Sequence, residues 1–405
     1  MAMFQYTAKG RDGKRQTGTL AADSRQMVSQ MLLTKGLIAE NVQEVSKTSK
    51  KVAAAGPNAR VKTTELLIFT RQLSTIVSAG LPLLQGLDIL AEQTDNATFA
   101  GVITQLGQDV EGGLSFSEAL RKYPRAFPDI YVSMVRAGEA GGDLDGVLLQ
   151  LADYMEAMED LKRRIKSAMT YPVVAFSMIF LIAAGLVYWV VPQFAEIFAS
   201  FGRELPAPTR ILIQASEGMR SWKSLVVIAG VIGLVIAIKV YAKTPGGRYT
   251  VDAFKLRLPV FGSLIRKVSI SRFTRTLSTL THSGVAILQA LEIVERTAGN
   301  EVFARAVRLA GDSVRSGETL ADPLARSEQF PAMVTRMIAV GEKTGALEQM
   351  LSKISDFYDS EVKATVDSLT SLIEPILILM MGLVVGSIVI ALFMPILQLS
   401  SLVSQ

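Results

Sequence analysis

The sequence predicts a mostly α-helical integral membrane protein, with two homologous helical-bundle domains outside the bilayer, three transmembrane helices and a small N-terminal ββαβ module. Three observations carry that prediction. Long stretches lack any charge, two polar regions copy one another, and the first 45 residues alternate in a way the rest does not. Composition agrees. Of 405 residues, 49% are hydrophobic and 20% charged, and the mean hydropathy is +0.34, above ordinary soluble usage.

At the N-terminus, FQYTA and QTGTLAA alternate around a turn at Lys9 to Lys14. DSRQMVSQMLLTKG has helical spacing, and LIAENVQEV reads as a strand, which completes a module over residues 1–45. Met1 to Lys14 is polar with no apolar segment, so no signal peptide is expected there. Residues 46–62 are basic and lack bulky apolar side chains, the composition of a flexible linker.

The first helical domain covers residues 63–166. Leu66, Leu67, Phe69, Thr70, Leu73, Ile76 and Val77 recur at helical spacing, with Thr63 or Thr64 as the expected cap. Gly80 ends that helix, and Pro82 suits the first turn of the next. SFSE (Ser115 to Glu118) is a capping box before a short helix ending at Pro124. Asp143 opens a long helix through Leu148, Leu151 and Met155 toward the membrane.

Residues 167–195 carry no charge, and their apolar centre, Val173 to Val191, is about 20 residues long, the length that crosses a hydrocarbon core. Transmembrane helix 1 is therefore placed at 167–192, with Tyr188 and Trp189 as an interfacial belt. A loop at 193–222 leads to transmembrane helix 2 at 223–241, where Trp222 and Lys223 anchor one end and Lys239 snorkels at the other. The second helical domain spans 242–371, transmembrane helix 3 spans 372–397, and 398–405 is an uncharged tail. Positive charge orients the set. Lys162, Arg163, Arg164 and Lys166 precede the first span, and eight Lys and Arg residues from Lys243 to Arg275 follow the second against the single acid Asp252. The 193–222 loop is charge-balanced. The N-terminus and both polar domains are therefore expected in the cytoplasm and the C-terminus on the periplasmic side.

The two domains are repeats. FTRQLSTIVSAGLPLLQGLDILAEQT (Phe69 to Thr94) aligns with FTRTLSTLTHSGVAILQALEIVERTA (Phe273 to Ala298) at 11 identities in 26 positions. The register continues through Phe99 and Phe303, then Gly113 and Gly317. After a one-residue slip, Phe127-Pro128 meets Phe330-Pro331, and GEAGGDL (Gly138 to Leu144) meets GEKTGAL (Gly341 to Leu347). Pro172 and Pro192 then match Pro375 and Pro395, so each copy is a domain plus its membrane helix in the same orientation.

The residue inventory removes much chemistry. Without cysteine there is no disulfide, thiolate zinc site or cysteine nucleophile, and one histidine, His282, makes no His-rich metal centre. His282 reads as a surface or tolerated core position. There is no phosphate loop, H-E-x-x-H, G-x-S-x-G or G-x-G-x-x-G. No cofactor, metal, nucleic acid or catalytic residue is expected, and the protein is read as non-enzymatic.

Four features stand above that background. Glu139 and Glu342 sit between the glycines of the two GExxGxL segments, where a partner contact or cation site competes with the preferred reading, a glycine-built turn. Pro172 and Pro375 lie near the cytoplasmic ends of their spans and could hinge bundle against membrane helix; Glu374 is the one carboxylate at that membrane edge. Gly382 and Gly386, four apart in GLVVG, offer a helix-packing face. The basic run from Arg257 through LPVFGSLIRK to Arg275 suits acidic lipid or an acidic partner.

The duplicated domains, the placement of three spans, LPVFGSLIRK, the GExxGxL pair and EPILILMMGLVVGSIVIALFMPIL resemble the PilC/GspF family of inner-membrane platform proteins. The resemblance covers nearly the whole chain. It implies a non-enzymatic platform at the base of a type IV pilus or type II secretion machine. Such a platform contacts a cytoplasmic hexameric ATPase, pilin or pseudopilin subunits and other inner-membrane assembly proteins, and is expected to form homo-oligomers. ISRFTRTLSTLTHSGV and FYDSEVKATVDSLTSLIEP look closer to the pilus branch, with type II secretion as the alternative. An oligomeric transporter is the more distant reading, opposed by the absence of ionisable residues near mid-bilayer.

Overall fold

The computed structural model describes residues 2–10, 15–22, 25–34, 37–45, 56, 59–194 and 207–403. The expected turn at 11–14, most of the linker at 46–62 and part of the 193–222 loop lie outside the described residues. The chain divides into two units, Met1–Pro128 and Asp129–Gln405, so the boundary falls inside the first helical domain as the sequence delimits it.

In the first unit, β1 (Ala2–Gly10), β2 (Arg15–Ala22), α1 (Arg25–Thr34) and β3 (Leu37–Val45) come first. β1 is the middle strand, antiparallel to both neighbours, in the order β2-β1-β3. Pairing with β2 holds one register from Ala2 opposite Ala22 to Lys9 opposite Arg15; pairing with β3 slips between Thr7 and Ala8. Val28 and Leu32, one turn apart on α1, are buried, as are Ala8 and Ala22.

Four helices follow: α2 (Thr63–Ser78), α3 (Leu83–Gln93), α4 (Ala97–Glu111) and α5 (Phe116–Arg121). Their core holds Phe69, Phe99 and Phe127, with ring centroids 5.3, 6.2 and 6.4 Å apart. Neither Thr63 nor Thr64 caps α2, because both already lie in its first turn. Instead the Glu65 carboxylate accepts the Lys62 amide at 3.4 Å and the Asn96 side-chain amide at 2.9 Å, while Asn96 Oδ1 caps α4. Pro82 sits just before α3 rather than within its first turn. The SFSE box is formed: Ser115 Oγ accepts the Glu118 amide and the Glu118 carboxylate accepts the Ser115 amide, both at 3.2 Å.

The second unit begins with α6 (Asp129–Gly141) and α7 (Leu144–Gly185), continued by a π-helical turn at Leu186–Val190. Then come α8 (Ala207–Arg220), α9 (Trp222–Tyr241) and α10 (Pro245–Arg257). The second copy supplies α11 (Phe261–His282), α12 (Ile287–Thr297), α13 (Glu301–Arg315), α14 (Ala321–Arg326), α15 (Ala332–Thr344) and α16 (Leu347–Val403). Helices α2 to α7 recur in order as α11 to α16. Phe330 meets Phe273 at 4.9 Å and Phe303 at 5.3 Å, so the second copy reuses the aromatic contacts of the first.

Among the described residues, three helical stretches are long and apolar enough to cross a membrane: Leu144–Phe194, Ser224–Tyr241 and Leu347–Met394. Two of them are much longer than a bilayer requires. At 1.5 Å per residue, the 42 residues of α7 reach about 63 Å and the 57 of α16 about 85 Å. Each therefore runs unbroken from polar bundle into apolar span.

Candidate functional site

The residues singled out in the sequence gather along α7 and α16. At the polar end, the two GExxGxL segments form matching turns into these helices. Gly142 and Gly345 take φ of +72° and +73°, a conformation that costs a side-chain-bearing residue about 1–2 kcal/mol. The first glycine has another job. A Cβ on Gly341 would lie 2.8 Å from the Leu347 Cα, and one on Gly138 would lie 3.0 Å from Val147, so both let α15 and α6 approach the long helix that follows. Asp143 caps α7 by accepting the Gly146 amide at 3.2 Å.

Glu342 is committed inside its own bundle. Its two carboxylate oxygens accept the backbone amides of Leu320 (2.5 Å) and Ala321 (3.0 Å), where α14 begins. Those amides have no helical partner, and a carboxylate opposes the positive end of the helix dipole. Glu139 is half-buried in α6.

Beyond the turn, α11 lies antiparallel along α16 and is held by a ladder of polar contacts that was not apparent in the sequence. Lys267 donates to Glu361 at 2.7 Å and to Thr365 at 2.9 Å; Ser271 donates to Asp359; Arg275 donates to Asp359 at 2.5 Å and Asp356 at 3.3 Å. His282 closes the ladder against Glu348, both half-exposed. Lys267, Ser271 and Arg275 are four residues apart and so share one helix face, which was the available signal. The basic run expected to serve lipid or partner thus spends Lys267 and Arg275 within the fold.

Nearer the membrane, Leu161 of α7 packs with Leu264 of α11 and Val362, Val366 and Leu369 of α16. An open cleft of about 540 Å³ lies between α7 and α16 at this level. The two prolines follow immediately, and neither interrupts its helix. Their surroundings differ: Pro172 is buried, whereas Pro375 and Glu374 are exposed on the protein surface. Each proline removes the amide that would bond the carbonyl four residues earlier, at Ala168 and Ser371, and both of those residues line the cleft.

At the far end, α8 packs against the π-helical turn and against α16. Thr209 of α8 donates to the Ala391 carbonyl, and the Arg220 guanidinium lies 5.3 Å from the centre of the Tyr188 ring. Helices α7 and α16 thus run parallel, joined at one end by the apolar seam and at the other by α8. Gly382 and Gly386 on α16 have no atom within 4 Å of where a Cβ would stand, so nothing among the described residues covers that face closely.

A family model described as "Type II secretion system (T2SS), protein F" matches residues 69–192 and again residues 273–395, and the model of that protein's N-terminal domain matches residues 1–43. The chain belongs to the type II secretion system protein F family. The tandem family matches start at Phe69 and Phe273 and stop at Pro192 and Pro395, the limits of the internal repeat. Relatives span the full chain. It is 42% identical to the type IV pilus assembly protein PilC of Thermus thermophilus, covering 98% of both chains. It is 40% identical to the protein of that name from Myxococcus xanthus, covering 98% of this chain and 95% of the relative. The type II secretion system protein F of Pseudomonas aeruginosa is 35% identical over all of both chains.

Proposed function

We propose that this chain is the non-enzymatic inner-membrane platform of a type IV pilus assembly machine. It would couple a cytoplasmic hexameric ATPase to pilin subunits entering or leaving the filament. The observation that carries this reading is the similarity, over nearly the whole chain, to two proteins named for type IV pilus assembly. The charge pattern of the loops supports a cytoplasmic N-terminus and a periplasmic C-terminus.

The architecture suits mechanical coupling. Two unbroken helices leave the polar bundle and enter the membrane side by side, so a displacement of the bundle has a rigid path into the lipid. Pro172 and Pro375 are the places where each rod lacks one helical hydrogen bond and bends most easily. The open Gly382 and Gly386 face is the packing surface for a second protomer or a pilin helix. Glu139 and Glu342 both remain candidates for partner contact, Glu342 while also holding the start of α14. Other inner-membrane assembly proteins complete the expected partners.

The likeness to a protein F over its whole length favours a second reading, the platform of a type II secretion system acting on pseudopilins. A clean deletion of this gene in its native host separates the two. Surface filaments are scored by electron microscopy and secreted proteins by their amount in the medium. Lost filaments with intact secretion supports the pilus platform; lost secretion with intact filaments supports the secretion platform. If neither changes, the machine assignment fails.

A further inference from the structure

The cleft between α7 and α16 has a chemistry that packing alone does not call for. Its floor is apolar, formed by Leu161, Val362 and Val366. Its rim carries Arg164 from α7 and Lys363 and Asp367 from α16, all exposed. Asp359 also lines it but is taken by Ser271 and Arg275. Arg164 and Lys363 meet no carboxylate among the described residues, although neighbouring Lys162 and Arg163 each pair along their helix. Two free cations against Asp367 leave the rim with one net positive charge.

The cleft's depth is set by sequence. Along α7 it runs from Leu161 to Tyr171, ten residues or about 15 Å of helix, crossing from the last charged turn into the uncharged run that starts at Ser167. The polar layer of a bilayer is only about 5–8 Å deep on each side, so the cleft spans it. Hydroxyls of Ser167, Tyr171 and Thr370 line the deeper part. A basic recess between membrane helices, at headgroup depth and with an apolar floor, matches a lipid that carries one negative charge on two acyl chains.

We propose that this cleft binds an anionic phospholipid, its phosphodiester held between Arg164 and Lys363 and its acyl chains following α7 and α16 into the membrane. The site rests on membrane placement alone and stands whether the platform builds a pilus or a secretion pseudopilus. Bound there, the lipid would fill the space beside the two carbonyls that Pro172 and Pro375 leave without helical amides.

The test uses full-length protein in detergent, mixed with phosphatidylglycerol or phosphatidylcholine, with bound lipid counted by native mass spectrometry. The wild type should retain phosphatidylglycerol in preference. Arg164→Gln/Lys363→Gln should lower that preference about tenfold, the equivalent of losing charge-assisted contacts to one phosphate. Arg121→Gln/Arg125→Gln, which removes two exposed basic residues far from the cleft in sequence, should leave it unchanged. Arg164→Lys/Lys363→Arg keeps both charges and should bind as wild type, which separates lost binding from lost folding. Equal retention of the two lipids by wild type, full retention by the Arg164 and Lys363 Gln pair, or equal loss in the Arg121 and Arg125 control each overturns the site. Displacement of the lipid by millimolar inorganic phosphate would reassign it to a soluble phosphate and overturn the lipid proposal.

Discussion

Thr209 donates its hydroxyl to the main-chain carbonyl of Ala391 at 2.5 Å, and both residues are 2% exposed. The contact fastens α8 to the outer part of α16, across 182 residues of sequence. Because Tyr188 of the π-helical turn lies against Arg220 of the same helix, α8 holds the outer ends of both long helices. The chain lacks cysteine, so Thr209→Cys/Ala391→Cys can be read without background. Oxidation in membranes should give an intramolecular cross-link, seen as a faster band on a non-reducing gel. Absence of the cross-link would show that α8 is not seated on α16.

Gly341 and Gly345 predict separable losses. Gly345→Ala places a Cβ at positive φ and should destabilise by about 1–2 kcal/mol. Gly341→Val forces α15 away from the Leu347 backbone and should cost about 1–3 kcal/mol by overpacking. Thermal unfolding of the purified protein in detergent measures both. A Gly341→Val variant as stable as wild type would remove the close-approach argument.

Glu342→Ala leaves the first amides of α14 without their acceptor and should cost about 0.5–2 kcal/mol, the range of a lost helix cap. Faster hydrogen exchange at Leu320 and Ala321 should accompany it. If filaments vanish while stability and exchange are untouched, Glu342 acts on a partner instead.

Pro375→Ala restores a helical hydrogen bond and stiffens the entry of α16 into the membrane. Filament assembly should be abolished while the protein remains inserted at normal level. Normal piliation in that variant would end the hinge reading. Glu374→Gln, at an exposed interfacial position, should be silent; lost piliation at normal protein level would make Glu374 functional.

Gly382→Leu/Gly386→Leu adds bulk where no described residue packs within 4 Å. Monomer stability in detergent should hold while oligomer cross-linking in membranes and filament number fall. Loss of stability without loss of the oligomer would place that face inside the protomer.

The three spans, the repeat and its boundaries were legible in the residues themselves, because an uncharged run, a helical period and a copied register are properties of adjacent positions. The repeat alone pairs Phe127 with Phe330, and the fold places each against its own two phenylalanines. The capping box at Ser115 and the cap at Asp143 were equally local.

Other features were decided only by tertiary structure. Lys267 meets Glu361 across 94 residues, and Arg275 meets Asp359 across 84, so two of the five basic residues in a run that composition assigns to an outside partner are answered within the bundle. The amides that occupy Glu342 come from the start of another helix, which no spacing rule reveals. Pro172 and Pro375 match in the repeat, but only Pro172 is buried, because what surrounds a residue is set by helices distant in the chain. Local pattern determined which segments become helices and which enter lipid; the meeting of distant surfaces decided which charges, glycines and prolines stay open to a partner.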